Sequence, residues 1–179
     1  MSKVSPLTIL PLAIFAAIAG LFYAGVHRSD PDALPSAIKG TPAPLVAFEP
    51  LGPKPVITDA QLREGGIKLV NFWASWCAPC RAEHPNLIEM ARQGLTVYGV
   101  NYKDDPGNAL GFLEELGDPF EAIGVDRNGR QAIEWGVAAV PETFFLDETG
   151  KVILRFAGPI TQRALERDIW PAIREAKGG

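Results

Sequence analysis

Three residues separate the apolar run "IKLVNFW" (Ile67 to Trp73) from "CAPC", and Cys77 and Cys80 are the only cysteines among 179 residues. This juxtaposition constrains the fold more than any other feature of the chain. A nearly continuous apolar run reads as a central strand buried on both faces. A disulfide between residues so close together restricts the unfolded chain little, so it cannot hold a domain together. The fold must therefore rest on a hydrophobic core. Once an N-terminal segment and a linker are set aside, about 130 residues remain, enough for one self-supporting domain.

Strands and helices alternate from Ile67 onward. A helix is expected from about Ala78 to Gln93, stopped by Gly94. "LTVYGVN" (Leu95 to Asn101) reads as the next buried strand, and "DDPGNALGFLEELG" as a helix opened near Asp105 and Pro106 and ended by Gly117. The short apolar segment Ala122 to Val125 precedes a helix from about Arg130 to Trp135. "ETFFLDETGKVILRFAG" reads as a hairpin turning at Glu148 to Gly150, and a last helix runs from about Thr161 to Ala176, bent at Pro171. Upstream, Thr58 is the N-cap of a short helix to Glu64, and a short strand is expected near Leu45 to Phe48. Strand–helix–strand units imply parallel pairing and the hairpin adds antiparallel pairing. The class is α/β, with a central mixed sheet flanked by helices.

The N-terminus is different in kind. Leu7 to Val26 carries no charge, and twenty helical residues span about 30 Å, the thickness of a bilayer core. Two readings are open: an uncleaved N-terminal transmembrane helix, and a cleaved signal peptide with "AIA" (Ala17 to Ala19) as its site. The apolar run continues past that site, which favours the anchor. The expected organisation is an anchor over 1–26, a Pro- and Ala-rich linker over 27–39 and a domain over 40–177. The formal net charge of -4, with no run of like charges, argues against nucleic acid as a partner.

At a helix start, Cys77 lies near unpaired backbone N–H groups and the positive end of the helix dipole, which favours its thiolate. Cys80, nearly one turn on, can reach Cys77 but is more enclosed. This suits thiol–disulfide exchange, in which Cys77 attacks a partner's disulfide and Cys80 resolves the mixed disulfide. Zinc needs about four ligands, whereas the two cysteines and His84 supply three, with His27 distant in sequence. A c-type haem site needs His directly after the second cysteine, where Arg81 stands. Neither a metal nor a cofactor is expected.

The stretches "NFWASWCAPC" and "VPETFFLD" resemble thioredoxin-like proteins. With "WCAPCRAEHP", "GVNYKDD", "GVAAVPETF" and the apolar N-terminus, the chain more narrowly resembles the CcmG/DsbE-type cytochrome c maturation proteins, close to the TlpA and ResA group. The likeness covers roughly residues 40 to 175. It implies a thioredoxin-like fold and a single-pass inner-membrane protein with its catalytic domain in the periplasm. It also implies a reductant that takes electrons from a CcdA- or DsbD-type membrane protein. Those electrons pass to apocytochrome c, directly or through a CcmH-type partner, before haem attachment.

The resemblance also implies roles for single residues. Pro141, after a cis Val140–Pro141 bond, sits opposite the dithiol and offers backbone to an extended substrate. Asn71 stands where thioredoxins carry a buried Asp, and an amide cannot act as a base. The acid–base role therefore passes to Glu83, with Glu142 of "PETF" as the second acidic candidate beside the substrate. Trp76 shields the sulfurs and meets the partner, Trp73 is equally readable as core, and Tyr102 to Asp104 border the site. Two rival functions stay open: a general disulfide oxidant or isomerase, and a non-enzymatic binding or chaperone module using the Pro141 groove.

Overall fold

The computed structural model describes residues 6–26 and 38–178. The chain divides into two compact units, Met1–Pro35 and Ser36–Gly179. The first contains α1 (Pro6–Val26), a 21-residue helix with Pro11 inside it. Its described side chains, among them Phe15, Leu21 and Phe22, are exposed. No helix among the fully described residues is long and apolar enough to cross a membrane; α1 is described with its side chains only between Leu10 and Tyr23, Leu12 excepted. Most of the expected linker, 27–39, lies outside the described residues.

The second unit follows the alternation in the sequence. Its elements are α2 (Asp59–Arg63), β1 (Lys68–Trp73), α3 (Ala78–Arg92), β2 (Thr96–Tyr102), α4 (Pro106–Leu116), β3 (Ala122–Asp126), α5 (Arg130–Glu134), β4 (Glu142–Leu146), β5 (Val152–Ala157), α6 (Gln162–Ala164) and α7 (Trp170–Ala176). The sheet order is β3-β2-β1-β4-β5. β1 pairs in parallel with β2, and β2 with β3, while β4 runs antiparallel to both β1 and β5. This is the mixed sheet of the thioredoxin-like fold. Two right-handed crossovers in the same direction place α3 and α4 on one face. There they share a core with Leu165, Ile169 and Ile173. The other face packs against Leu62 of α2 and Ala132 of α5.

Three local expectations are corrected. Ala122 to Val125 is no mere connection; it is the core of an edge strand, β3, which adds a second parallel crossover. Leu45 to Phe48 forms no strand, and this neighbourhood pairs only through a bridge from Glu49 to Val125. The last helix is interrupted by a π turn, Leu165–Ile169, just ahead of Pro171. Proline has no N–H for the carbonyl one turn back, and the wider turn accommodates it.

The proline-rich stretch from residue 40 to 57 belongs to the domain. Gly40 N–H donates to Val152 O (2.8 Å) and Val152 N–H to Thr41 O (2.9 Å), closing the start of the β5 edge. Farther on, Val125 N–H donates to Glu49 O (2.8 Å) and Ile123 N–H to Pro55 O (2.9 Å), closing the β3 edge. Exposed edges invite pairing with other chains, and one irregular segment covers part of both here. Gly124 permits the close approach, since a Cβ there would lie 2.3 Å from the Phe48 ring.

A lysine sits in the middle of this core. Lys68 is 2% exposed, and its Nζ donates to Leu62 O (3.2 Å) and Asp147 O (3.0 Å). It ties α2 and the β4–β5 turn to β1. Lys68→Met keeps the aliphatic stem and strips both carbonyls of that partner. We expect it to lower unfolding free energy by about 1–3 kcal/mol, measured by urea denaturation. A loss below ~0.5 kcal/mol would mean that water replaces the ammonium without penalty.

Candidate active site

The dithiol stands where a strand ends and a helix begins. Cys77 is the N-cap of α3, and its Sγ accepts the Cys80 N–H at 3.1 Å, as a capping side chain does. The two cysteines form a disulfide. Both residues are buried in this oxidised state, Cys77 at 4% and Cys80 at 1%. The difference in enclosure expected between them is therefore small here. The exposed surface beside them comes from Ala78, Pro79 and Trp76, the last 58% exposed.

The loop leading into Cys77 is pinned by Asp104. Its carboxylate accepts Ser75 N–H (2.6 Å), Ser75 O–H (2.7 Å) and an Asn101 amide proton (2.9 Å). Trp76 donates its indole N–H to Lys103 O (3.2 Å). Lys103 is the non-glycine residue with positive φ, 45°, among the described residues. The Tyr102–Asp104 stretch thus borders the dithiol loop. Trp73 is core, stacked on Phe120 and tilted against Phe112.

The Val140–Pro141 bond is cis. Val140 is half-buried against the cluster that contains Cys77 and Cys80, and Pro141 is buried. Pro141 O accepts Gly158 N–H at 2.9 Å. The same loop returns to α3: Ile160 N–H donates to Glu83 Oε2 (2.8 Å), and Asn86 donates to Ile160 O (2.7 Å).

Glu83 is in the core, 1% exposed, one turn beyond Cys80. Its Oε1 accepts from Asn71 Nδ2 at 2.8 Å, and Asn71 also donates to Thr143 Oγ1 at 2.9 Å. Burial raises the Glu83 carboxyl from 4.5 to about 7, against the pull of the Ile160 N–H and the Asn71 amide. The neighbouring basic side chains are engaged elsewhere. Arg81 pairs with exposed Glu115 at 2.7 Å. His84 donates from Nε2 to Gly117 O at 2.8 Å, and burial lowers its pKa.

Glu142 is equally buried but placed differently. Asn71 pairs with Thr143 across β1 and β4, and Phe72 pairs with Glu142. Alternation therefore turns Glu142 to the sheet face opposite Glu83. There it pairs with Arg155 and accepts Ala138 N–H (3.0 Å), while Arg155 also donates to Gly136 O (2.7 Å). This pair braces the segment leading to Val140. Thr143, Arg155 and the Ile160 backbone escaped the sequence reading. Only the pairing of β1 with β4 and the return of the loop after β5 bring them in.

This arrangement has counterparts in known proteins. The Redoxin family pattern matches residues 38–169. HelX, a thiol:disulfide interchange protein of Rhodobacter capsulatus, is 49% identical over 168 residues, spanning 94% of this chain and 96% of its own. A DsbE homologue from Paracoccus denitrificans, also a thiol:disulfide interchange protein, is 52% identical over 176 residues, spanning 98% of each chain. A crystallised DsbE-type protein of Chlorobium tepidum superposes with a TM-score of 0.63 at 30% identity, covering 75% of this chain and 97% of that one.

The raised Glu83 carboxyl makes stability depend on pH. Below 4.5 the folded and unfolded chains both hold this proton, and between 4.5 and about 7 only the folded chain does. Stability from this group is present at low pH and is lost as pH rises through 7. Relative to Glu83→Gln, the wild type should lose about 3 kcal/mol between pH 4 and pH 8. Urea titrations of the two disulfide-form proteins across that range check this, and parallel pH profiles would place the carboxyl in contact with water.

Proposed function

We propose that this chain, which belongs to the Redoxin family and within it to the DsbE-type thiol:disulfide interchange proteins, acts as a dithiol reductant in cytochrome c maturation. Thiol:disulfide exchange through Cys77 and Cys80 is its chemistry. The direction, the partners and the location are our inference.

In the reducing direction the Cys77 thiolate attacks one sulfur of a substrate disulfide. A new S–S bond joins Cys77 to the substrate, and the other substrate sulfur leaves as a thiolate. Cys80 then loses its proton to Glu83 and attacks the Cys77 sulfur. The Cys77–Cys80 bond forms, the mixed disulfide breaks, and the second substrate sulfur leaves as a thiolate. Two electrons have passed to the substrate, which gains two protons from the site and the solvent. The substrate we assign is the disulfide of the Cys-x-x-Cys-His segment of apocytochrome c, reached directly or through a CcmH-type carrier and released as the dithiol. A CcdA- or DsbD-type membrane protein returns the two electrons. The Val140–Pro141 backbone and the Trp76 ring form the receiving surface. α1 serves as a single-pass inner-membrane anchor with the domain in the periplasm, where disulfides otherwise persist.

The observation that carries the reducing direction is the buried Glu83 with no cation beside it. A strongly stabilised thiolate makes the reduced form the favoured one and the protein an oxidant. A carboxylate near the sulfurs works against the thiolate and opposes the helix dipole at Cys77.

We expect a reduction potential on the reducing side, little activity on insulin disulfides, and a lower Cys77 thiol pKa in Glu83→Gln by thiol alkylation against pH. A Cys80→Ser variant should trap, in cells, a Cys-x-x-Cys-His polypeptide or its carrier as a mixed disulfide. An oxidising potential with capture of many unrelated exported proteins would favour a general oxidant instead.

A further inference from the structure

Asn71 is wholly buried on β1, between Glu83 of α3 and Thr143 of β4. Its Nδ2 uses both protons, one to Glu83 Oε1 (2.8 Å) and one to Thr143 Oγ1 (2.9 Å), while its Oδ1 has no partner among the described residues. A bare carbonyl in the core is unfavourable, and its presence needs an explanation.

The explanation lies in what Glu83 needs in each protonation state. As a carboxylate it accepts only, and it receives one N–H from Asn71 and one from Ile160. As an acid it must also donate. Oε2 faces the Ile160 N–H, which cannot accept. Oε1 faces the Asn71 NH2, which cannot accept either. If the amide turns by 180°, Oδ1 faces Oε1 and takes its proton. Thr143 fits both arrangements, because a hydroxyl accepts from Nδ2 in one and donates to Oδ1 in the other. Each arrangement makes two hydrogen bonds through the amide; the first leaves its carbonyl unpartnered and the second its NH2, so the turn is favoured only when Glu83 has a proton to donate.

We propose that Asn71 is a positioning residue whose side-chain amide turns end for end as Glu83 gains or loses its proton, so that one residue supports both states of the buried acid. This rests on Glu83 taking the Cys80 proton, as proposed above. Leucine at position 71 could not do the same, since it has neither donor nor acceptor, and aspartate could donate only while holding a proton of its own. Among the described residues no charged side chain is bonded to Glu83. On α3, Arg81 is directed to Glu115 and His84 to Gly117 O. On β4 and β5, Glu142 and Arg155 pair on the opposite face. The loop after β5 contributes only the Ile160 N–H, and the remaining titratable groups of the site are the two sulfurs.

The measurement is made on the wild-type disulfide form, with Glu83→Gln as the control. The Glu83 carboxyl is followed by its infrared C=O band, assigned by its loss in Glu83→Gln. The Asn71 NH2 protons are followed by 15N-resolved NMR, both from about pH 5 to about pH 9. We expect the amide resonances to shift with the midpoint of the carboxyl band, and their proximity signal to the Thr143 side chain to weaken on the acid side. In Glu83→Gln that pH response should vanish. If the carboxyl titrates while the amide keeps its contact to Thr143 throughout, the amide is fixed and the proposal falls. If the response persists in Glu83→Gln, it answers another group and the proposal falls. If no carboxyl band titrates in this range, the role given to Glu83 falls and takes this proposal with it.

Discussion

Glu83 holds its carboxyl in the core on two hydrogen bonds, one from the Asn71 amide and one from the Ile160 backbone. An isolated ionised group there would be strongly unfavourable, and a salt bridge would settle it permanently as a carboxylate. Two neutral donors do neither. They offset enough of the burial to keep the charged form accessible, and no more, which leaves the carboxyl near 7. A group poised there exchanges protons at physiological pH, as general acid–base work requires.

The fold supplies this balance from three separate parts of the chain. β1 contributes Asn71 and ends in the loop that carries Cys77. Its antiparallel neighbour β4 places Thr143 directly across. The loop after β5 closes the site, with Gly158 N–H on Pro141 O and Ile160 N–H on Glu83. One short loop therefore touches both Glu83 and Pro141. Asn86 clamps the loop to α3 through Ile160 O. Backbone N–H groups two residues apart thus tie Pro141 and Glu83 to the same loop.

Local chemistry in the sequence was a good guide to elements and to the dithiol. The Thr58 capping box, the Pro106 helix start and the Glu148–Gly150 turn occur where their residues place them. Sequence spacing also put Glu83 on the turn after Cys80. Cross-strand pairing could not be read the same way. Asn71 is 72 residues from Thr143, and no local pattern links them. Nor could local pattern say what meets Lys68 inside its apolar run: backbone carbonyls from α2 and the β4–β5 turn do so. β3 was read only as an apolar segment because it is five residues long and contains Gly124. Its place in the sheet depends on Phe48 and Glu49, which precede it by some 75 residues.

Glu83 and Glu142 show how little residue type alone decides. Both are acidic and both are about 1% exposed. Glu142 meets Arg155, a guanidinium that cannot give up its charge, and the pair braces the Gly136–Ala138 backbone. Glu83 meets only neutral donors, so its charge is conditional. When Glu83 is protonated, the helix end at Cys77 acts on the sulfur unopposed; when it is ionised, its charge opposes that end. The poise of the dithiol is therefore not one number but follows the proton on Glu83.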